Sequence, residues 1–518
     1  MSIPWPLTGP RALRAIVVAA VAMMVLSLLL LHSPKTQTTP RVKGMELEKP
    51  SYNGTTDHGD TANYNEDLTT DSPPDRVEQT IIQMPVIDSD LVTDVSQYFV
   101  DYPIKKPYES KFGELGRRCR VLRDWLAYAE KTDPSTRNVL LATVERVASS
   151  SFPFLQKPSR QPPSEQPLTD LRASFEAGSA GIVIPTSDKT LRFAAHLIGS
   201  LRSVLGSTLP IQVVYAGDYD LRPQSREYLS SLAGQGPPIE FLNILTIFDD
   251  TTLKLQSGGW AIKAFAALAS RFERVILADA DAVFFQPPEV LFEHDAFLRS
   301  GSLLFHDRLL WKNQFASRHA WWRDQIRRPS PAMNSSRVWT EDYAEEGDSG
   351  LVVMDKSRID VLVGLLHVCW QNTHAVREEV TYKITYGDKE SWWMGMELAG
   401  AGYEFSQHYG GIVGWAGMDG GRPTVCSFVI AHVDAKDQLL WWNGSLLKNK
   451  EVPEMKKVYD IPTNWVIDAE WRKGATKQDM SCMIGGEVRN LTSNQIHTLE
   501  RSIELAQRID AVVLAPES

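Results

Sequence analysis

In the segment ERVILADADAVFFQPPEVLF, residues 273–292, a strongly apolar run is followed by two acidic residues. The VIL triplet at 275–277 is typical of a buried strand, and Asp279 and Asp281 follow it two residues apart. Side chains at i and i+2 of a strand lie on one face, so the carboxylates can converge on one point. A divalent cation would relieve their repulsion, and hard oxygen ligands favour Mn²⁺ or Mg²⁺. The alternative is that both aspartates only cap the turn before the Pro-Pro pair that follows.

Strand-like and helix-like segments alternate around this stretch. The strand-like segments are GIVIPTS (181–187), IQVVYAG (211–217) and IEFLNIL (239–245), and the helix-like ones are KTLRFAAHLIGSLRSVL (189–205) and WAIKAFAALASRF (260–272). This alternation predicts an α/β fold, with a mainly parallel sheet flanked by helices. Ligands of such sheets bind beyond the carboxyl ends of the strands. Asp279 and Asp281 lie at that end of their strand, which favours the metal interpretation.

The N-terminus predicts a membrane anchor. Residues 15–31 are apolar except for Ser27, Arg11 and Arg14 precede them, and no small-residue cleavage site follows. As a helix this run would be about 26 Å long, near the lower limit for crossing a bilayer. We therefore expect an uncleaved transmembrane signal anchor behind a short cytoplasmic tail. The net charge of −10 gives no sign of a nucleic-acid partner.

Sequons and cysteines favour a lumenal location for the large part of the chain. Four Asn-X-Ser/Thr sequons follow the anchor, at positions 53, 334, 443 and 490. The four cysteines also lie on that side, and an even count fits lumenal disulfides with three alternative pairings. Four buried free thiols are the competing interpretation. The sequon at Asn443 follows two tryptophans in LLWWNGS, and we expect it to remain unglycosylated.

Composition shifts divide the chain into segments. The prediction comprises a cytoplasmic tail (1–14), the anchor (15–31), a flexible polar stem (32–94), a helical region (95–155), a Pro-rich linker (156–169), a catalytic domain (170–480) and a C-terminal helical extension (481–518). The helical region contains no motif, so its role is open.

Four ordered blocks resemble a known family. They are WAIKAFAALASRFERVILADADAVFFQPPEVLF (260–292), EGDSGLVVMDKSR (346–358), YGDKESWWMGMELAGAGYEF (386–405) and AHVDAKDQLLWWNGSLLKNK (431–450). Together they resemble the fungal Golgi α-1,3-mannosyltransferases, which are type II membrane proteins of the GT-A fold. The resemblance covers roughly residues 175–450. It implies GDP-mannose as donor, a mannose-terminated glycan or glycoprotein as acceptor, Mn²⁺ (or Mg²⁺) as cofactor and retention of the anomeric configuration. It also implies a Golgi membrane location with a lumenal catalytic domain, and a place in a Golgi glycosyltransferase complex.

The resemblance assigns roles to particular residues. Those on the donor side are Lys263 and Trp260, together with Asp279 and Asp281, which match the D-x-D that binds metal and diphosphate. His432 matches a third metal ligand, and its alternative is a hydrogen-bonded core histidine. The catalytic candidates are Asp348, Asp388 and Glu390. A carboxylate near the anomeric carbon would stabilise an oxocarbenium-like state, but Asp388 and Glu390 could instead cap the helix that follows them.

The acceptor side is predicted from small and aromatic residues. Gly350 would let the backbone approach a sugar closely. Trp392, Trp393 and Trp441 could stack on sugar rings, although one member of an adjacent pair usually lies in the core.

Two other functions compete with mannosyl transfer. The ILADADAV sequence also matches the nucleophile strand of haloacid-dehalogenase phosphohydrolases, but the only candidate for the later acidic pair, YGDKES at 386–391, follows a poor strand. A non-catalytic glycan-binding relative would retain the fold without turnover. Within the family, an α-1,2-transferring branch is the alternative to the α-1,3 linkage, and the sequence does not distinguish them.

Overall fold

The computed structural model describes residues 89–157 and 162–515. The predicted anchor and cytoplasmic tail lie outside these residues, as does the predicted stem up to residue 88. No helix within the described ranges is long and apolar enough to cross a membrane.

The strands form three sheets. They are β1 (Glu176–Pro185), β2 (Ile211–Tyr215), β3 (Ile239–Asn243), β4 (Phe272–Ala278), β5 (Ala282–Phe284), β6 (Ser302–His306), β7 (Gly347–Asp355), β8 (Glu404–Phe405), β9 (Ile412–Asp419), β10 (Arg422–Ser427), β11 (Ile430–Val433), β12 (Leu439–Asn443), β13 (Asn464–Val466), β14 (Glu470–Arg472), β15 (Ser481–Ile484) and β16 (Arg489–Asn490). The main sheet has the order β3-β2-β1-β4-β7-β6-β8. Its pairings are parallel except those that β7 makes with β4 and β6. The predicted α/β fold, with a mainly parallel sheet flanked by helices, is therefore confirmed, and β7 makes the sheet mixed.

The α-helices lie on both faces of this sheet and in an N-terminal layer. They are α1 (Ser89–Asp101), α2 (Phe112–Ala129), α3 (Pro134–Ser151), α4 (Pro167–Ala173), α5 (Leu191–Gly199), α6 (Pro223–Ser231), α7 (Asp250–Leu253), α8 (Ile262–Ala269), α9 (Asp295–Ser300), α10 (Ala316–Gln325), α11 (Pro331–Ser335), α12 (Arg337–Glu341), α13 (Ile359–Gln371), α14 (His374–Val376), α15 (Tyr382–Ile384), α16 (Lys389–Ala399) and α17 (Ser493–Val513).

The strand before the two aspartates, β4, is buried on both faces. Val275 and Leu277 belong to the core shared with α2, α8, α13 and α16. Ile276 and Ala278 belong to the opposite core, which α5, α9 and α17 cover. All four side chains have no exposed surface. A central strand between two helix layers is covered on both faces, so its side chains are apolar on both faces.

The N-terminal helical layer is part of the principal core. Leu115 and Leu122 of α2 share a hydrophobic cluster with Val363 of α13 and Met396 of α16. The helices approach closely, because a Cβ at Gly116 would lie 2.7 Å from the carbonyl oxygen of Leu398. Residues 89–157, which carry no motif, therefore cover the helices behind the main sheet.

One boundary of the predicted stem needs correction. Helix α1 begins at Ser89, so residues 89–94 are helical and do not belong to a flexible segment. Val92 and Ser96, four residues apart, are buried in this helix, which gives it a tertiary contact face. The predicted C-terminal helical extension also needs correction, because β15 and β16 lie within residues 481–490 and α17 begins only at Ser493. The remaining segment boundaries stay predictions.

Two further sheets were not predicted. One is antiparallel, with the order β14-β15-β10-β9-β13-β16, and the other is β11-β12-β5. In the smaller sheet Ala282 pairs with Asn443 and Phe284 with Trp441. Because β5 begins directly after Asp281, this pairing brings the 431–450 segment beside the two aspartates.

The cysteines divide into one disulfide and two thiols. Cys426 of β10 is bonded to Cys482 of β15, directly opposite it in the antiparallel register. Cys119 and Cys369 are buried free thiols. Neither four free thiols nor a full set of disulfides describes the chain.

Removing the disulfide is expected to destabilise the larger antiparallel sheet. The bond closes a loop with a sequence separation of 56 residues, for which chain entropy gives about 4 kcal/mol of stabilisation. The double variant Cys426→Ser/Cys482→Ser should therefore unfold at a lower temperature in differential scanning calorimetry. Reductant should lower the Tm of the natural chain and leave that of the variant unchanged. Equal melting temperatures without reductant would contradict this expectation.

Candidate functional site

The two aspartates are fixed through their backbone as well as their side chains. The amide of Asp279 donates to the carbonyl of Gly350 on β7 at 2.8 Å, and the carbonyl of Asp281 accepts from the amide of Ser445 at 2.8 Å. The two side chains are 28% and 17% exposed. The pair is thus rigidly held at the carboxyl end of β4, with both carboxylates still reachable by solvent.

A buried lysine connects four elements at this point. Lys263 lies near the start of α8 and is 4% exposed. Its Nζ lies 2.9 Å from Oδ1 of Asp279 and 3.2 Å from Oδ2 of Asp388. It also donates to the carbonyl of Ser349 at 2.6 Å. Burial lowers the pKa of Lys263, but the two carboxylates outweigh that effect and raise it, so the ammonium stays charged.

The carboxylates around Lys263 repel one another. Burial raises the pKa of Asp279 to about 6; Lys263 opposes the rise, and Asp281 and Asp388 add to it. Three carboxylates therefore share one region in which adding positive charge is favourable.

A second lysine, Lys450, neutralises the other aspartate and was missed from the sequence. Its ammonium is hydrogen-bonded to Asp281. Burial lowers the pKa of Lys450, but Asp281 and Asp279 raise it by more, so the net shift is upward. The basic run KNK in the 431–450 block was the available signal, since it follows the strand that pairs with β5.

Asp348, on the neighbouring strand β7, is the centre of a buried cluster of polar residues with His432 and Asn443, called here the Asp348 group. Its Oδ2 lies 3.0 Å from Nε2 of His432, and its Oδ1 accepts from Asn443 at 2.8 Å and from the amide of Gly350 at 3.0 Å. Burial raises the pKa of Asp348, but the hydrogen bond and charge of His432 outweigh this effect and hold it below its usual range. The His432 ring stacks on Trp441, with centroids 4.4 Å apart.

This geometry bears on two predictions. Nε2 of His432 faces Asp348, so metal ligation through that atom would require this contact to open. Nδ2 of Asn443, the atom that would carry a glycan, donates a hydrogen bond to Asp348. The contact agrees with the expectation that this sequon stays unoccupied.

Gly350 is needed for close packing against Asn443. A Cβ at Gly350 would lie 2.5 Å from Nδ2 of Asn443 and 3.2 Å from Oδ1 of Asp348. In the structure, Gly350 therefore packs against the side chain of Asn443. The contact of Gly350 with a sugar stays a prediction.

Gly350→Ala is expected to disturb the Asp348 group. Overpacking of this kind typically costs about 1–3 kcal/mol, and thermal denaturation should show the loss. Adding Asn443→Ala should recover part of the stability, because the clashing amide is removed. Gly417→Ala is the control, since its Cβ would meet only Thr424 Oγ1, at 3.1 Å. A Tm for Gly350→Ala equal to that of the control would contradict the close-packing interpretation.

Asp388 and Glu390 face different partners. Oδ2 of Asp388 accepts from Nε1 of Trp392 at 2.8 Å and lies beside Lys263. Glu390 accepts from the amides of Glu346 at 3.0 Å and Gly347 at 3.2 Å. Asp388 occupies the N-cap position of α16 without a side-chain cap bond, and Glu390 lies in the first turn, as the capping alternative expects. Asp388 therefore belongs to the charged group around Lys263, and Glu390 ties α16 to the start of β7.

Burial also affects Glu390 itself. Burial raises its pKa to about 8, Glu345 adds to the rise, and the hydrogen bond from Trp393 Nε1, at 2.6 Å, opposes it. Both oxygens of Glu390 accept from backbone amides or the Trp393 indole, so its contacts are structural.

The aromatic candidates divide into buried and exposed rings. Trp392, Trp393 and Trp441 are at most 2% exposed, so they present no ring face to a sugar. Trp260 is 46% exposed, and its ring centroid lies 5.2 Å from that of Tyr386. Trp260 is therefore the one predicted aromatic contact that remains accessible among these four.

The residues present fit a divalent cation through two protein ligands. Within residues 89–157 and 162–515, no group of three or more His, Cys, Asp or Glu side chains has the arrangement of a metal site. Asp279 and Asp281 are adjacent hard oxygen donors, partly exposed, with a charge repulsion that a cation would relieve. Mg²⁺ and Mn²⁺ accept such incomplete protein shells, because they retain positions for water and substrate oxygens.

Comparison with known proteins gives a family match over the main sheet. Residues 179–434 match the family model described as "Mannosyltransferase putative". Alpha-1,3-mannosyltransferase MNT3 of Saccharomyces cerevisiae is 28% identical over 311 residues, covering 49% of this chain and 48% of its own. Alpha-1,3-mannosyltransferase MNT2 of the same yeast is 26% identical over 333 residues, covering 58% and 56%. The chain thus spans about half the length of these curated relatives.

Solved structures give only weak likenesses. The mannosyltransferase Ktr4p of S. cerevisiae aligns with 60% of this chain and 81% of its own, at 9% identity and a TM-score of 0.29. Galactosyltransferase LgtC aligns with 44% and 73%, at 15% identity and a TM-score of 0.30. Scores this low establish neither a shared fold nor a shared chemistry.

Proposed function

We propose that the chain, which matches a mannosyltransferase family model over residues 179–434 and resembles fungal α-1,3-mannosyltransferases, transfers mannose from GDP-mannose to a mannose-terminated glycan. The observation that carries the proposal lies within the family-matched residues. There, Asp279 of the D-x-D pair at the end of β4 and Asp388 both form ion pairs with the buried Lys263. A phosphohydrolase has no support from the family match.

The finer features are part of the same proposal. The α-1,3 linkage follows the names of the relatives MNT3 and MNT2. Retention of configuration and a GT-A-type catalytic domain follow the resemblance of the four sequence blocks. The mixed sheet with its carboxylates at a strand end supports the GT-A assignment, since open α/β sheets bind ligands at that edge.

We assign Asp279 and Asp281 to hold Mn²⁺ or Mg²⁺. The metal, when bound, neutralises charge that grows on the departing nucleoside diphosphate. Lys263 holds Asp279 and Asp388 at a fixed separation and offsets part of their negative charge. Lys450 forms an ion pair with Asp281. Its ammonium would be free to contact the phosphates of the donor if Asp281 bound a metal ion instead.

Asp388 is the carboxylate best suited to stabilise positive charge at the anomeric carbon. It is held by Trp392 and by Lys263 and is 1% exposed, so its position is fixed before substrate binds. In a retaining transfer the leaving diphosphate can accept the proton of the attacking hydroxyl, so no separate base is required.

The proposed location is the Golgi lumen, with a single-pass type II topology. It is supported by the apolar run at 15–31 and by the sequons. The Cys426–Cys482 disulfide adds to this, because such bonds form in oxidising compartments.

Transfer is tested with the purified full-length chain, GDP-mannose, Mn²⁺ and an α-mannobiose acceptor. A trisaccharide is the expected product, and NMR of its new linkage distinguishes α-1,3 from α-1,2. The linkage should have the α configuration if the anomeric centre is retained. Absence of a trisaccharide with a correctly folded chain would contradict the proposed activity.

Lys450→Ala is expected to weaken use of the donor. Loss of a charge-assisted contact costs about 1.5–3 kcal/mol, or roughly 10- to 100-fold in kcat/KM for GDP-mannose. Lys448→Ala is the matched control, because Lys448 pairs with Asp460 at 2.7 Å, away from the D-x-D pair. Steady-state kinetics with varied donor measures both variants. Equal values for the two would remove Lys450 from the donor site.

A further inference from the structure

A second concave surface lies outside the family-matched residues. It is a cavity of about 520 Å³ between the end of α1, the segment that follows it and the start of α2. This volume falls within the roughly 300–1,000 Å³ that ligand sites occupy. None of the residues assigned to the donor, the metal or catalysis lines it.

One wall of the cavity carries two exposed tyrosines. Tyr98 is 55% exposed and Tyr102 is 62% exposed. Their ring centroids lie 4.9 Å apart with an interplanar angle of 32°. The rings therefore form a stepped aromatic surface that no described residue covers. Apolar faces of pyranose rings pack on such surfaces, while the phenolic hydroxyls stay available for hydrogen bonds.

The rim carries positive charge without a partner. Lys105 and Arg117 line the cavity and form no ion pair or side-chain hydrogen bond within the described part of the chain. Lys111, by contrast, is paired with Glu114 at 2.8 Å. Asp101 already accepts from Gln97 at 2.8 Å. Glutamine is neutral, so Asp101 keeps its charge. The charged residues of the lining are four cations and two carboxylates, and this positive balance favours an anionic group.

A buried arginine completes the site. Arg118 lines the cavity and is 1% exposed. It donates to the carbonyl of Phe99 at 2.9 Å and pairs with Glu114 at 3.0 Å, but its Nε has no hydrogen-bond partner. Its guanidinium also donates to the carbonyl of Tyr102, so Arg118 holds the backbone at the end of α1 and adds a positive charge to the cavity wall.

From these observations we infer that the cavity is a second glycan-binding site, which takes an oligosaccharide carrying an anionic group such as a phosphate. The choice of a glycan over a nucleotide or an acidic peptide rests on the proposed function and on the stepped pair of rings, which suits successive sugars. Lys105 and Arg117, together with the positive charge of Arg118 in the wall, supply the preference for the charged form. We name the surface formed by Tyr98, Tyr102, Lys105, Arg117 and Arg118 the tyrosine groove.

Direct binding tests this site independently of transfer. Calorimetry uses the purified full-length chain in chelator, with mannotetraose that carries one phosphomonoester, neutral mannotetraose, inorganic phosphate, GDP and a tetraglutamate peptide. The phosphorylated tetraose should bind at least tenfold more tightly than each of the others. Equal binding of the neutral tetraose would overturn the anionic preference, and equal binding of phosphate, GDP or the peptide would overturn the glycan assignment.

Variants localise the binding to the tyrosine groove. Tyr98→Ala/Tyr102→Ala should weaken binding of the phosphorylated tetraose at least tenfold. Lys105→Ala/Arg117→Ala should remove the preference over the neutral form. Lys131→Ala and Val139→Ala are controls, since they change exposed residues of the same helical layer. Natural affinity in both groove variants, with the fold verified by circular dichroism, would refute the site.

The mannobiose transfer assay separates the two proposals. The groove variants should transfer to mannobiose at the natural rate, because the groove shares no residue with the catalytic group. If the natural chain binds the phosphorylated tetraose but makes no trisaccharide, the proposed activity fails and the groove stands. If it makes trisaccharide but does not bind the tetraose, the groove fails alone.

Discussion

Asp279→Asn and Asp281→Asn are each expected to lower kcat for mannosyl transfer roughly a thousand-fold, because about 4 kcal/mol of charge stabilisation is lost. Asparagine keeps the shape of the side chain and much of its hydrogen bonding, so the effect isolates the charge. The trisaccharide assay measures the rates. Mn²⁺ titration by electron paramagnetic resonance should show weakened metal binding in both variants.

The neighbouring lysines make this test interpretable. In Asp279→Asn, Lys263 retains its ion pair with Asp388 and its bond to Ser349, so the region should remain folded. Asp295→Asn changes an exposed carboxylate in the same stretch of chain and is the control. Unchanged transfer in both D-x-D variants would mean that the pair does not hold a metal that the reaction requires.

The same experiment addresses the non-catalytic alternative. A glycan-binding relative without turnover should retain its cellular role after either substitution, whereas a transferase should lose it. Comparing complementation in cells with transfer by the purified chain therefore distinguishes the two.

Local sequence signals predicted the elements that carry the site. The VIL triplet before Asp279 indicates a buried strand by itself, and the three- and four-residue spacing around Lys263 indicates a helix. Asp279, Asp281, Lys263 and Asp388 were each identified from their own segment. Asp279 and Asp388 converge on the ammonium of Lys263, and Asp281 contacts Lys450. These contacts depend on tertiary packing, which no local pattern specifies.

The contacts missed from the sequence depend on very short strands. Lys450 reaches Asp281 because β5, only three residues long, pairs with β12. A three-residue strand is too short to show a period, so its partner cannot be inferred from the letters around it. The same pairing brings Asn443 to Asp348, a contact that the Asn-Gly-Ser sequon alone does not indicate.

The tryptophan pair at 392–393 shows how an N–H donor changes burial. One ring of an adjacent pair was expected in the core and one toward the cleft. Both are buried, because Trp392 donates to Asp388 and Trp393 donates to Glu390. A buried carboxylate three or four residues earlier supplies each indole with the partner that it requires.

Asp388→Asn is expected to lower kcat by about 10²- to 10³-fold with little change in the KM for GDP-mannose, because a preorganised charge acts mainly on the transition state. The amide oxygen can still accept from Trp392, so the local fold should persist. Steady-state kinetics with varied donor, together with the Tm, separates a loss of chemistry from a loss of stability.

Glu390→Gln provides the contrasting control for this prediction. Glu390 accepts from two backbone amides and from the Trp393 indole, and an amide cannot accept on both of its terminal atoms. The variant should therefore lose about 1–3 kcal/mol of stability, with its remaining activity tracking the folded fraction. If Asp388→Asn instead behaved like Glu390→Gln, with a lowered Tm and normal kcat per folded molecule, Asp388 would be a structural residue and the positive charge at the anomeric carbon would need another source of stabilisation.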